Sequence, residues 1–424
     1  MTLIRLVFTD FLCSLQNDKK KICENQSNQC HLWSTEIITK INTLKYIAKT
    51  FAGLEGVLAK EIESIGGENI ELTKRGVIYE GDQRLLYRSN LELRTALRIM
   101  MPIHTFHAPD LDVFYKRIRE IEWWKYMDLE HTFAVDAIAR SAIFTHSHYV
   151  GLKTKDAIVD QFRDKMNRRP NVDIERPDIQ VNVHVHGDEF SISLDASGDS
   201  LHKRGYREQS VAAPLNEVLA AGMIMLADWK GETDFMDAFC GSGTLLTEAA
   251  LIAHRIPPQF RRGYFCCKNW LDFDKKLWDE VILESDSHRV LDFKPKIMGS
   301  DFSGRSLSAA QANLESIGFN RKIKLEKADF FTRSAPIFPP RGENTEGGGT
   351  MIMNPPYDER LEIEDAIDFH KKIGDTMKKN WKGWTVWVMT GNLEAAKFIG
   401  LRPRRKIHLF NGALECRLLK FEMY

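Results

Sequence analysis

The sequence predicts an α/β protein in two halves: a small α+β region, then a doubly wound, largely parallel sheet closed by an antiparallel hairpin. Three observations carry this expectation. Between Leu44 and Ser200, short strands and helices are mixed without a repeating plan. After Ser200 the order becomes strand, helix, strand, helix, first in "TDFMDAFCGSGTLLTEAALIAH" and again in "KIMGSDFSGRSLSAAQANLESIG". The chain ends in "KIHLFNGALECRLLKFEMY", two alternating runs around Asn411-Gly412, which is a hairpin signal.

The elements follow in order. Residues 1–43 begin with the apolar "MTLIRLVFTDFLCSL" and turn polar. Arg5 and Asp10 interrupt the apolar run, and no small-residue cleavage site follows. We expect an unassigned, poorly ordered extension rather than a signal peptide. A first unit spans 44–104. In it "LKYIAKTF" predicts a strand, "GLEGVLAKEIESIGG" an amphipathic helix ended by glycines, and "GVIYEGD" a strand. "QRLLYRSNLELRTALRIMM" reads at helical period to its end. A second unit spans 105–200, with strands in "TFAVDAIA", "DIQVNVHVHGD" and "EFSISLDASG". Val181, Val183 and Val185 alternate with Asn182, His184 and His186, so one face is buried. Between them "GLKTKDAIVDQFRDKMNRRP" predicts a helix whose polar side carries Lys153, Lys155, Arg163, Lys165, Arg168 and Arg169, interrupted by Asp156, Asp160 and Asp164. Such a stripe is a nucleic-acid surface or a plain solvated face. A third unit spans 201–424. Its later strands are "IKLEKADFF", "TMIMNPPY" and "WTVWVMTG", with helices in "EDAIDFHKKIGDTMKKNW" and "LEAAKFIG".

Bulk properties exclude several classes. A chain of 424 residues suits two or three domains without staples. Lys plus Arg number 59 and Asp plus Glu number 59, so nucleic-acid binding needs a local patch. No apolar run reaches about 18 residues, which argues against a membrane-spanning helix. The 7 cysteines are scattered, without paired metal spacing, and suit a reducing cytoplasm. His146, His148, His184 and His186 have no third partner at useful spacing, so no metal is expected.

The chemistry concentrates in the last unit. Asp237-Ala238-Phe239-Cys240-Gly241-Ser242-Gly243 joins a strand to a helix. The glycines let a ligand approach the backbone, and the helix start offers free N–H groups. Leu246 stands where a dinucleotide fingerprint needs its third glycine, which argues against NAD. Asp301 ends the next strand, where a carboxylate can accept both hydroxyls of a ribose. Asp329 ends the third and could take a donor from an adenine amine. Each could instead be a helix cap. Three acidic strand ends at the carboxyl edge favour an adenosine carrying little negative charge, and S-adenosylmethionine fits.

At the same edge, Met351–Met353 run into Asn354-Pro355-Pro356-Tyr357. Prolines terminate strands. They also hold carbonyls rigidly without a competing N–H. An exocyclic amine on a base is a poor nucleophile and needs acceptors. The Asn354 side chain and the Pro355 carbonyl can each accept one N–H, and Tyr357 can stack on the base, worth about 1–3 kcal/mol. The tetrapeptide does not name the base. Adenine N6, guanine N2, cytosine N4 and a protein glutamine amide remain open.

"GLKTKDAIVDQFR", "RPDIQVNVHV", "SISLDASGDSLHKRGYR", "APLNEVLAAGMI", "DAFCGSGTLLTEAALIA" and "MNPPYDERL" together resemble the THUMP-containing RNA methyltransferases, of the bacterial large-subunit rRNA guanine-N2 type (RlmL-like). The resemblance covers roughly 44–424. It implies a ferredoxin-like segment, a THUMP RNA-binding domain and a Rossmann-like, seven-stranded class I methyltransferase domain. It implies S-adenosylmethionine as donor, N2-methylguanosine in 23S rRNA as product, and 23S rRNA or a large-subunit precursor as partner. No membrane and no obligatory protein partner are expected. In this reading Asn354, Pro355 and Tyr357 are catalytic. Asp237, Phe239, Cys240, Gly241, Gly243, Asp301, Asp329, Pro214 and Asn216 hold the donor. Lys153, Lys155, Arg168, Arg169, Lys203, Arg204 and Arg207 meet RNA. Some family members carry a second methyltransferase domain, whose activity is not expected in this chain. The alternatives are an N6-adenine RNA or DNA methyltransferase, and an inert RNA-binding assembly factor.

Overall fold

The computed structural model describes residues 43–211, 214–336, 348–356 and 363–424. The expectation for the first residues falls on 1–42, outside the described residues. Leu44–Tyr424 is one compact unit.

The first half is a single eight-stranded sheet. Its strands are β1 (Leu44–Lys49), β2 (Glu68–Thr73), β3 (Gly76–Gly81), β4 (Arg98–His107), β5 (Thr132–Arg140), β6 (Asn171–Val172), β7 (Ile179–His186) and β8 (Glu189–Asp195). Their order is β2-β3-β1-β4-β8-β7-β5-β6. Strand β4 pairs antiparallel with both β1 and β8, so the ferredoxin-like segment and the following unit share one hydrogen-bonded ladder. Helices α1 (Glu55–Ser64), α2 (Gln83–Glu92), α3 (Leu111–Glu120) and α4 (Ser147–Met166) accompany it. The alternation read in β7 holds, because Val181, Val183 and Val185 are buried while His184 and His186 are exposed.

One expectation fails here. Arg98–Met101 are not the tail of a helix but the start of β4. Helix α2 stops at Leu93, whose backbone is extended. The N–H groups of Arg94 and Thr95 are taken by the Glu61 carboxylate at 2.8 and 2.9 Å, so they cannot continue the helical ladder.

The second half is a seven-stranded sheet of β9 (Phe235–Asp237), β10 (Ile297–Asp301), β11 (Lys324–Lys327), β12 (Thr350–Met353), β13 (Thr385–Thr390), β14 (Arg405–Asn411) and β15 (Leu414–Glu422). Its order is β11-β10-β9-β12-β13-β15-β14. Strands β9 to β13 run parallel, and β15 lies antiparallel to β13 and β14. Helices α5 (Glu217–Leu226), α6 (Thr244–Ala253), α7 (Lys275–Ser287), α8 (Gly304–Ser316) and α9 (Ile363–Asn380) belong to this half of the sequence. In the terminal hairpin Asn411 pairs with Leu414, and Gly412 takes φ +65° at the first turn position, which favours glycine. "LEAAKFIG", expected as a helix, forms only a 3-10 turn over Ala395–Ile399. The Asn392 side chain caps it at Ala395 and left-handed Gly400 ends it, leaving no length for an α-helix.

The connection between α6 and β10 runs back to the first half. Phe265, Cys267, Trp270, Trp278 and Val281 join the apolar core of the first sheet. The Trp278 ring lies edge-on to Tyr87 at 5.3 Å, and Asp274 donates its N–H to the Tyr87 hydroxyl at 2.9 Å. Residues from beyond 201 therefore complete the core of the region before it.

Candidate active site

The carboxyl edge of the second sheet opens into a cleft of about 700 Å³. Strand β9 delivers Asp237 there, 1% exposed, its carboxylate accepting the Phe239 N–H at 3.1 Å. The next turn takes left-handed backbone at Gly241 (φ +51°) and Gly243 (φ +80°). A side chain at Gly243 would also press within 3.1 Å of the Ala310 methyl on α8, so glycine is needed there twice over. Asp301, at the end of β10, braces the turn. One oxygen accepts the Gly241 N–H at 3.0 Å and the other the Ser303 N–H at 2.9 Å. Each oxygen keeps a second lone pair for a ligand hydroxyl.

From the turn, Asp237, Phe239, Cys240 and Gly241 line the cleft. Pro214, Asp301, Asn354 and Pro355 line it from three other segments. Burial pushes the Asp237 carboxyl up to about 8; the nearby Asp301 charge adds to this, and the Phe239 N–H opposes it. Burial, with Asp237 and Asp301 beside it, also pushes the Cys240 thiol up. Asn354 follows β12, and its side-chain oxygen is buried with no hydrogen-bond partner. A buried carboxyl group with no ion pair among the described residues, a braced ribose-type acceptor and an orphan acceptor form a set that S-adenosylmethionine and a target amine would complete.

Other expected residues fall elsewhere. Asp329 lies two residues beyond β11, is exposed, and uses its carboxylate on the N–H of Phe331 at 3.0 Å. It caps its own turn and does not line the cleft. Gly243 stands behind the turn as the start of α6. The Asn216 side chain caps α5, accepting from Val218 at 2.9 Å and Leu219 at 3.4 Å. Tyr357 lies outside the described residues.

The expected RNA contacts divide. Arg168 and Arg169 are exposed at the end of α4, with Arg168 3.4 Å from Glu130. Lys153 and Lys155 are half-buried. Lys155 pairs with Asp156 at 3.0 Å, and Lys153 sits over the rings of Tyr115 and Tyr149 at 5.9 and 5.8 Å. Lys203 is exposed and bridges Asp199 at 2.9 Å. Arg204 corrects the expectation. Its side chain is 0% exposed and is spent on Glu248 at 3.3 Å, the Leu201 carbonyl at 2.9 Å and the Arg94 carbonyl at 2.6 Å. Arg207 corrects it too, since its guanidinium is turned inward to groups around the glycine turn. Neither presents a cation to a phosphate.

Two features escaped sequence reasoning. Phe302, directly after Asp301, is 73% exposed and lines the cleft. An apolar residue in that place was the available signal. Asn411 and Leu414, at the hairpin turn, line it as well, and nothing local in their sequence announced it. Among the described residues no cluster of three or more His, Cys, Asp or Glu could hold a metal.

A sheet ordered β11-β10-β9-β12-β13-β15-β14, with its glycine turn and acidic strand ends at the carboxyl edge, is the class I methyltransferase architecture. A family profile described as "RMKL-like, methyltransferase domain" matches residues 204–420, and the chain belongs to that family. A THUMP domain profile matches 108–195, and an RlmL ferredoxin-like domain profile matches 45–100. The chain is 38% identical over 384 residues to a Synechocystis protein named "Putative RNA methyltransferase", covering 90% of this chain and 97% of that one. It is 37% identical over 388 residues to ribosomal RNA large subunit methyltransferase K/L of Syntrophotalea carbinolica, covering 90% of this chain and 54% of the relative. The chain thus spans about half the length of that relative. The crystal structure of "a putative methyltransferase complexed with SAH" superposes with a TM-score of 0.80 at 28% identity, covering 90% of this chain and 98% of that one.

Proposed function

We propose that the chain transfers a methyl group from S-adenosylmethionine to the exocyclic N2 amine of a guanine in 23S rRNA. The single observation carrying the chemistry is the orphan oxygen of Asn354, buried at the edge of the cleft with no partner of its own. An aniline-like N–H is the partner it lacks. The donor supplies an electrophilic methyl on a sulfonium. The protein supplies position. Asn354 and the Pro355 carbonyl accept the two N–H groups and turn the amine's lone pair out of the ring, toward the methyl. Asp237 takes the donor's ammonium, Asp301 its ribose hydroxyls, and the glycine turn lets the backbone approach. No residue need remove a proton before transfer, because the attacking amine is neutral and loses its proton to solvent after the bond forms. A base inside folded rRNA must leave its stack to reach this pocket.

The test is mass spectrometry of rRNA nucleosides from a deletion strain, with the lost methyl mapped to its nucleotide. Loss of one N2-methylguanosine in 23S rRNA, restored by the wild-type gene, is expected. Loss of N6-methyladenosine instead, or no loss, overturns the assignment of the base.

A further inference from the structure

Arg207 lies in the stretch that joins the first half to the methyltransferase half, and its side chain turns into the second half. It is 20% exposed. Its guanidinium donates to the Glu217 carboxylate at 2.8 Å, the Leu215 carbonyl at 3.0 Å, the Thr244 hydroxyl at 3.1 Å and the Ser242 hydroxyl at 3.3 Å. Leu215 and Glu217 stand at the start of α5, while Ser242 and Thr244 stand at the glycine turn and the start of α6. Leu215, Ser242 and Thr244 line the donor cleft. One planar cation therefore spans two walls of the same cleft.

The neighbouring residues tighten the same strap. The N–H groups of Glu208 and Gln209 donate to the side-chain oxygen of Asn313 at 2.8 and 3.0 Å. The amide nitrogen of Asn313 donates back to the Gln209 carbonyl and to the Ser242 carbonyl, both at 2.9 Å. On the other side, Arg204 and the Tyr206 hydroxyl meet the Glu248 carboxylate at 3.3 and 3.0 Å on α6. The strap holds the Ser242 carbonyl through Asn313 and holds α6 through Glu248, and Arg207 reaches across to α5.

We propose that Arg207 is a positioning residue for the methyl donor, fixing the spacing between the α5 start and the glycine turn so that the donor's two walls are preset before it binds. The inference rests on the donor cleft being a donor cleft, and the experiment separates the two. Calorimetry of the full chain with S-adenosylhomocysteine comes first, because a wild type that does not bind it overturns the cleft reading itself. If wild type binds, Arg207→Ala should weaken binding by about tenfold or more, the loss expected of a charged hydrogen-bond clamp. Arg207→Lys keeps the charge but not the fork, and should fall between the two. RNA affinity and its salt dependence should stay at the wild-type values in both. Ser242→Ala combined with Thr244→Val removes the contacts from the other wall, without stranding Glu217, and guards against a variant that fails to fold. Adding Arg207→Lys to that pair should cost less than it costs alone. Wild-type S-adenosylhomocysteine affinity in Arg207→Ala, fully additive losses, or a loss of RNA affinity that accompanies the loss of ligand affinity would each overturn the proposal.

Discussion

Asn354 carries a buried carbonyl oxygen with nothing to accept, and Asp237 a buried carboxyl group with no ion pair among the described residues. Both are costly in isolation and ordinary once a ligand is present. In the proposed mechanism, replacing Asn354 by Ala would leave one amine N–H of the target unsatisfied, at a cost of about 1–3 kcal/mol. Single-turnover methyl transfer should slow by about tenfold to a hundredfold, with donor affinity nearly unchanged. Transfer at the wild-type rate would reduce the tetrapeptide to a strand terminator. Asp237 gives a pH prediction. Its folded value of about 8 stands above the ordinary 3.8, so between those values the native state holds a proton that the unfolded chain has lost. That contribution to stability is complete below about pH 4 and is lost as pH rises through about 8. A cationic amine reverses the preference, so binding expels the proton. Calorimetry of S-adenosylhomocysteine at about pH 6.5, in buffers of differing ionisation heat, should read release of about one proton. Asp237→Asn should abolish it, and heats independent of buffer would remove the carboxylate from the site. Residue type and spacing made these two positions legible. They could not reveal Arg204. A basic run on the page looks solvated, and the glutamate that buries it arrives 44 positions later.

Helix α4 shows what a charged face is worth once its neighbours are known. Lys153 and Lys155 are engaged by rings and by Asp156, whereas Arg168 and Arg169 stand exposed past Asn167, whose left-handed backbone ends the helix. Reversing Arg168 and Arg169 to Glu should weaken RNA binding and lower the slope of log affinity against log salt by about two, since each phosphate contact contributes close to one. Reversing Lys155 alone should do little. An unchanged slope in the double variant would make the stripe a plain solvated face. Period and alternation marked out α4 and β7 because each buries one face along its length, and short apolar runs marked out β12 and β13 because both faces of those strands are buried. They misread β4 because the end of α2 is decided by Glu61, far off in sequence, and not by any proline or glycine at the break. They overread Ala395–Ile399 because a helical spacing says nothing about how few residues separate two caps.

The whole molecule from Leu44 to Tyr424 is one compact unit in which the core of the first sheet is finished by Trp270 and Trp278 from the second half of the sequence. Truncating Trp278 to Ala should cost about 3–5 kcal/mol, as for other buried aromatic rings. The donor half should lose its fold in the same cooperative transition as the sheet the ring packs on. Scanning calorimetry, followed in parallel by near-ultraviolet dichroism, checks this, and two resolved transitions would count against it. For anyone wishing to redirect the methyl group to another RNA, the chain offers no place to cut at residue 200. A catalytic half severed there would carry two indole rings into water, and the orphaned reader would keep a hole of matching shape. A working chimera has to trade the α6–β10 connection together with the reader it plugs, and homologues that exchange readers would be expected to inherit that connection from the reader's parent.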